Sequence, residues 1–193
     1  MKIILASQSP RRKEILSFFK LPFVVQVSGF DESSIPFEGN PAEYVMKQSC
    51  AKGLHIQRSQ EDVIISADTT VYCHKRLYEK PVSESQAREF LYALRGMTHM
   101  VYTGLTIIKG DQILQDVGET SVTFHDCTDQ QIEGYLNLVF PLDKAAGYAI
   151  QGAGSLIVKE IRGCYYNVMG LPIAPLTQLL DRVGINLWHS PKN

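Results

Sequence analysis

Ile3-Ile4-Leu5-Ala6-Ser7-Gln8-Ser9-Pro10-Arg11-Arg12-Lys13-Glu14-Ile15-Leu16 carries three signals in one short stretch. Ile3-Ile4-Leu5 is an apolar run and predicts a buried strand that begins almost at the first residue. Apolar residues at 15, 16, 18 and 19 predict a helix with one buried face, opening at Ser9 as N-cap and Pro10 at the first helical position. Between strand and helix lies a polar loop of two hydroxyls and two guanidiniums. A helix N-terminus presents unpaired N–H groups and a partial positive charge, so arginines there run against the dipole. An anion that outweighs that repulsion accounts for them, and the planar guanidinium fork suits phosphate. An ordinary capped helix with solvent-facing arginines is the alternative from this stretch alone.

A chain of 193 residues is long enough for a substantial core, as one domain or two small lobes. A net charge of −1 leaves no overall basic excess, so any positive field must be local, and a nucleic-acid partner is not expected. Cys50, Cys73, Cys127 and Cys164 are scattered without a C-x-x-C pair and read as reduced thiols. No apolar run reaches membrane-spanning length, and the start is too short for a signal-peptide core. The expectation is a soluble, cytoplasmic protein with no membrane partner.

Further along, Phe23 to Val27 predicts a second strand that delivers Asp31-Glu32-Ser33-Ser34 into a loop. Asn40-Pro41 opens a helix that ends near Lys52. Val63-Ile64-Ile65-Ser66-Ala67 predicts a fully buried strand, with Asp68-Thr69-Thr70 directly after it and extended character resuming at Val71. Open α/β sheets place binding and catalytic groups at such strand ends. Pro81 fixes Lys80 at a rigid corner. Ser83 with Gln86, and Thr128 with Gln131, predict helix starts of the capping-box kind. The region to Thr123 predicts two or three antiparallel strands, Ser155 to Val158 another strand, and Leu171-Pro172 the start of the last helix. Between Pro141 and Gly154 the chain is polar and glycine-rich. The tail from about Trp188 is polar and reads as frayed. One α/β unit with a mixed sheet results, with two lobes as an option.

Arg11, Arg12, Lys52, Lys80 and Lys144 on one side, and Glu32, Asp68 and Asp143 on the other, are the charges that the loops could assemble. Cations that hold phosphates beside carboxylates that hold Mg²⁺ or Mn²⁺ equip a site for chemistry on a polyphosphate. No G-x-x-x-x-G-K-[ST] stretch is present, which excludes a P-loop enzyme, and His99 stands alone and reads as structural.

Leu5 to Arg12, Ser66-Ala67-Asp68-Thr69, Glu79-Lys80-Pro81, Thr98-His99 with Val101-Tyr102-Thr103-Gly104, Asp143-Lys144-Ala145, Gly147 to Gly152, and Tyr166 to Pro172 follow in order and span nearly the whole chain. Together these stretches resemble the Maf family of nucleoside triphosphate pyrophosphatases. The resemblance implies a single Maf-like domain over residues 1–193, with a mixed twisted sheet flanked by helices as in the inosine triphosphate pyrophosphatases, and an active cleft between two lobes. It implies cleavage between the α and β phosphates to give nucleoside monophosphate and pyrophosphate, with Mg²⁺ or Mn²⁺. By resemblance Ser7, Arg11, Arg12, Lys52 and Lys80 bind phosphate, Asp68 is catalytic, and Glu32 and Asp68 hold metal. Arg11 and Gln151 match the branch that favours dTTP and UTP, where a house-cleaning role against modified pyrimidine nucleotides is typical. The amide of Gln151 can both donate and accept at a base edge. Ala146, Cys164 and Thr70 depart from the family's usual residues, and none is an expected phosphate ligand. The rival reading is a nucleotide-binding regulator of septum formation with little catalysis, and pairing of two copies through the apolar later half is the other partner expectation.

Overall fold

The structure, a computed structural model, describes residues 1–188. Its strands are β1 (Ile3–Leu5), β2 (Val24–Val25), β3 (Val63–Cys73), β4 (Arg76–Tyr78), β5 (Thr98–Lys109), β6 (Gln112–Phe124) and β7 (Val158–Gly163). Its helices are α1 (Pro10–Ser17), α2 (Pro41–Leu54), α3 (Glu84–Leu94), α4 (Asp129–Leu136), α5 (Tyr165–Val168) and α6 (Ile173–Arg182). The strands form one seven-stranded sheet in the order β2-β1-β3-β5-β6-β7, with β4 paired to β3. β1 runs parallel to β2 and β3, whereas β4 and β7 pair antiparallel, so the sheet is mixed as expected. No helix among the described residues is long and apolar enough to cross a membrane.

Two compact units divide the chain. The first comprises Met1–Asp68, Thr103–Gly118 and the chain from Gly170 on, and the second Thr69–Tyr102 and Glu119–Met169. In the first, α2 lies hard against the strands because two positions lack a side chain. A Cβ on Gly104 would stand 2.3 Å from the Val45 carbonyl oxygen, and one on Gly53 would stand 2.7 Å from Ser66 Oγ. Buried hydroxyls lock the same contact: Ser66 Oγ donates to the Ser49 carbonyl at 2.7 Å, and Ser49 Oγ meets Thr106 Oγ1 at 2.7 Å. Small residues allow the approach, and paired hydroxyls offset the cost of burying polar groups there.

In the second unit α3 and α4 pack on an aromatic-rich core that includes Phe90, Phe124, Tyr135 and Tyr148. Arg88 of α3 forks onto the carboxylate of Glu133 of α4. His99 is buried in this core, its Nε2 2.8 Å from Tyr148 Oη. Burial pushes its pKa down to about 4. Buried Asn167 donates its amide to the Val101 carbonyl and to Thr120 Oγ1, which ties α5 to β5 and β6.

Several expectations change. β2 is two exposed residues rather than the stretch from Phe23 to Val27, since β1 offers it only a three-residue partner. α1 ends at Ser17 and buries Ile15 and Leu16, leaving Phe18 exposed. Val63–Cys73 is one unbroken strand, so Asp68 sits within it and not in a loop beyond it. Gln86 reaches the backbone N–H of Val82 rather than that of Ser83, leaving half a capping box, whereas Thr128 and Gln131 make the complete one. The run expected as a strand from Ser155 is a 3₁₀ turn, Gly152–Leu156, and the strand follows it. Residues 189–193 of the expected frayed tail lie outside the described residues.

Gly104→Ala forces backbone apart from backbone and is expected to cost about 2–3 kcal/mol, read as a lowered denaturant midpoint. An unchanged midpoint would contradict the contact. His99 takes up a proton far more readily unfolded, near 6.5, than folded, near 4. The stability from its neutral form is therefore complete above pH 6.5 and lost as pH falls from there through 4, about 3 kcal/mol in all. Urea unfolding across that window should show a shallower fall for His99→Gln than for the unsubstituted protein; parallel falls would refute it.

Candidate active site

β1 ends at Leu5 between two parallel neighbours, and the backbone keeps pairing at its exit: Ala6 N–H donates to the Ile65 carbonyl at 2.8 Å, and Gln26 N–H to that of Leu5 at 3.1 Å. Leu5 is opposite Ile65, so the chain leaves β1 at Ser7 on the same edge that β3 reaches with Asp68. That edge is the carboxyl end of the parallel strands, where open α/β sheets bind ligands.

The polar loop after β1 is organised as the sequence suggests. Ser9 caps α1 by accepting from Arg12 N–H, with Pro10 inside the first turn. Ser7 Oγ accepts from Ser9 N–H at 3.1 Å and from the Arg12 guanidinium at 3.3 Å. Arg12 Nε donates to the Gly170 carbonyl at 2.7 Å. Two neutral oxygens, those of Gly170 and Ser7, thus aim its fork. Burial lowers the Arg12 pKa, Arg11 adds to the fall, and Asp68 and Glu32 oppose it. An arginine stays protonated at neutral pH all the same. Arg11 is half-buried beside it.

Across the edge, α2 brings in Lys52. Its ammonium stands 2.6 Å from Asp68 Oδ1 and 3.0 Å from Glu32 Oε2, with Lys52 and Asp68 both buried and Glu32 exposed. Glu32 opens a 3₁₀ turn, Glu32–Ser34, capped by the side chain of Asp31. Its backbone carbonyl accepts from Gln48 Nε2 at 2.8 Å. Gln48 was not singled out in the sequence, although it lies one turn before Lys52 on the same face of α2, which is the signal that finds it. The role of the Gly170 carbonyl could not be read from sequence, because it depends on a contact between residues 158 positions apart.

Ser7, Arg12, Glu32, Lys52 and Asp68 are thus gathered in the first unit. Lys80 and Gln151 belong to the second. There Lys80 is exposed and Gln151 half-buried, and the Glu79 carbonyl accepts from Ala146 N–H at 2.9 Å. Lys144 and Asp143 also belong to the second unit, where the Lys144 ammonium pairs with the neighbouring carboxylate and with the Phe140 carbonyl at one tight 3₁₀ turn.

Glu32 and Asp68 are hard oxygen donors converging on one cation, here the Lys52 ammonium. No group of three or more His, Cys, Asp or Glu side chains able to hold a metal occurs among the described residues. Two carboxylates suit a Mg²⁺-type ion that keeps waters and takes the rest of its shell from substrate phosphates. Chemically, three cations beside two carboxylates can bind a polyanion and accept a proton next to it.

The chain aligns with proteins whose names fit such a site. A dTTP/UTP pyrophosphatase of Clostridium perfringens is 41% identical over 191 residues, 97% of this chain and all of that protein. One from Bacillus cereus is 42% identical over 190 residues, 98% of this chain and 99% of its own. A solved nucleoside-triphosphatase, the dITP/XTP pyrophosphatase of Mycobacterium abscessus, aligns over 94% of this chain and 95% of its own with a TM-score of 0.41 at 10% identity. The model of Maf-like proteins matches residues 2–183, which includes every residue of the site, and the chain belongs to the Maf family.

Proposed function

We propose that this protein is a nucleoside triphosphate pyrophosphatase that prefers dTTP and UTP, releasing nucleoside monophosphate and pyrophosphate. The observation that carries this is the Lys52 ammonium held between Asp68 and Glu32, beside an Arg12 guanidinium that neutral oxygens aim. Full-length relatives named dTTP/UTP pyrophosphatase support the choice of nucleotide.

In this mechanism Arg11, Arg12 and Lys52 neutralise the triphosphate, and Ser7 donates its hydroxyl to a phosphate oxygen. Lys52 exchanges part of its carboxylate contact for phosphate when substrate arrives, so the buried ammonium keeps a counter-charge throughout. Water adds at the α-phosphorus as the bond to the bridging oxygen breaks, and the electron pair leaves with pyrophosphate. Asp68 takes the water's proton, being a buried carboxylate at the sheet edge. Glu32 and Asp68 would hold a divalent cation, which when bound supplies charge stabilisation at the phosphates. Lys80 adds a further phosphate contact, and Arg11 and Gln151 set base preference, Gln151 through its amide.

Asp68→Asn removes the proton acceptor and keeps the shape. Turnover of dTTP is expected to fall by about 10²–10⁴ while triphosphate binding survives largely intact. Stopped-time pyrophosphate release, with calorimetric binding alongside, measures both, and full activity in the variant would remove Asp68 from the chemistry. Gln151→Ala is expected to flatten preference across dTTP, UTP, CTP, GTP and ATP by about tenfold more than it weakens phosphate affinity. Equal losses on every nucleotide would deny the amide a base-reading role.

A further inference from the structure

His99 is a buried polar group that the proposed chemistry does not use. Its Nδ1 is buried with no hydrogen-bond partner among the described residues. An apolar side chain of similar size would fill the place without that cost. What the imidazole supplies is a directed hold on one hydroxyl, Tyr148 Oη, at 2.8 Å. The rings of His99, Phe124 and Tyr148 also meet mutually edge-on, with centroids 4.8–5.4 Å apart, so the plane of the Tyr148 ring is set from two sides.

Tyr148 stands three residues before Gln151, in a segment with little remaining freedom. On its N-terminal side Ala146 and Gly147 are both left-handed, at φ 54° and 73°, and a Cβ on Gly147 would come 3.2 Å from that of Ala87. On its C-terminal side Ala149 N–H donates to Tyr135 Oη at 3.1 Å, and Gly154 N–H to the Gln151 carbonyl at 3.0 Å. Gly154 passes so close to Ala149 that a Cβ would lie 1.8 Å from its carbonyl oxygen. The backbone around Gln151 is therefore linked to Tyr148 through short, stiff contacts.

We propose that His99 is a positioning residue for base selectivity, fixing through Tyr148 the place at which Gln151 meets the nucleobase. This rests on the reading of Gln151 as the base contact. Phosphate binding by Ser7, Arg11, Arg12 and Lys52 and the chemical step at Asp68, all in the first unit, do not depend on it.

The test is the ratio of kcat/KM for dTTP to that for ATP, from pyrophosphate release. The unsubstituted protein is measured beside Tyr148→Phe, His99→Leu, His99→Gln, Gln151→Ala, and Tyr148→Phe combined with Gln151→Ala. Tyr148→Phe and His99→Leu should each lower the ratio about tenfold, with the loss in KM for dTTP more than in kcat. His99→Gln, whose amide can occupy the place of Nε2, should restore most of it. In the Gln151→Ala background Tyr148→Phe should change the ratio no further, since both act through one contact. A ratio untouched by Tyr148→Phe, or losses that multiply independently in the double variant, would overturn the proposal. If His99→Leu fails to fold, Tyr148→Phe decides alone, as it removes one oxygen and keeps the ring. No preference for dTTP in the unsubstituted protein refutes the parent reading of Gln151 before any variant is compared, and the positioning role with it.

Discussion

One ammonium shared by two carboxylates sets the terms for the first unit. Lys52 is buried with Asp68, and a buried charge stripped of every partner costs several kcal/mol, so the pair and the exposed Glu32 beside it hold one another in place. The demand propagates outward. Lys52 reaches Asp68 only if α2 lies very close to β3 and β5, and that closeness requires Gly53 and Gly104 where any side chain would collide. Glu32, the more exposed partner, is brought in by a short turn whose carbonyl Gln48 holds from the same face of α2. One helix thus supplies the cation, the spacing and the clamp on the second carboxylate.

Such a network suits a ligand that must enter and leave. A cation already neutralised within the protein need not be left bare when the substrate is absent, and a triphosphate can take its place in the pairing without creating an unpaired buried charge. Arg12 is prepared differently, by the neutral oxygens of Gly170 and Ser7, which orient the fork without cancelling its charge. The two cations offer phosphate two kinds of partner: one paired to carboxylates and exchangeable, the other oriented by neutral oxygens.

Much of this was legible in the sequence where the signal is local. The strand–loop–helix at the front, the caps at Ser9, Asn40 and Thr128, and the apolar strand before Asp68 all follow from period and cap chemistry, and each is found. The misreadings share a cause. Val63–Cys73 looked interrupted because Asp68-Thr69-Thr70 is polar, yet the strand continues past them, with β5 beside it on one side and β1 and then β4 pairing its two ends on the other. For Lys144 the charge type is visible in sequence while its pairing with its own neighbour, Asp143, is not. Gln48 and the Gly170 carbonyl escaped notice because one is an ordinary helix residue and the other a backbone atom, and both act only through long-range contacts. The family resemblance implied a full set of site residues where patterning offered only candidate charges, since a resemblance carries long-range contacts that local patterns do not.

The second unit fixes its segment by another means. Around Gln151 the constraints are steric and apolar: left-handed turns at Ala146 and Gly147, a backbone crossing at Gly154 that tolerates no Cβ, and three rings packed edge to edge. A charge network re-pairs when an ion arrives, but close-packed atoms do not, because interiors resist compression. Phosphates are common to every nucleoside triphosphate, and a yielding electrostatic site can accept them all. A base must be told from other bases by a donor and acceptor in fixed places, and that requires a support that does not yield. A buried histidine kept neutral fits this second demand: charged, it would repack its surroundings, whereas neutral it holds one hydroxyl in one direction.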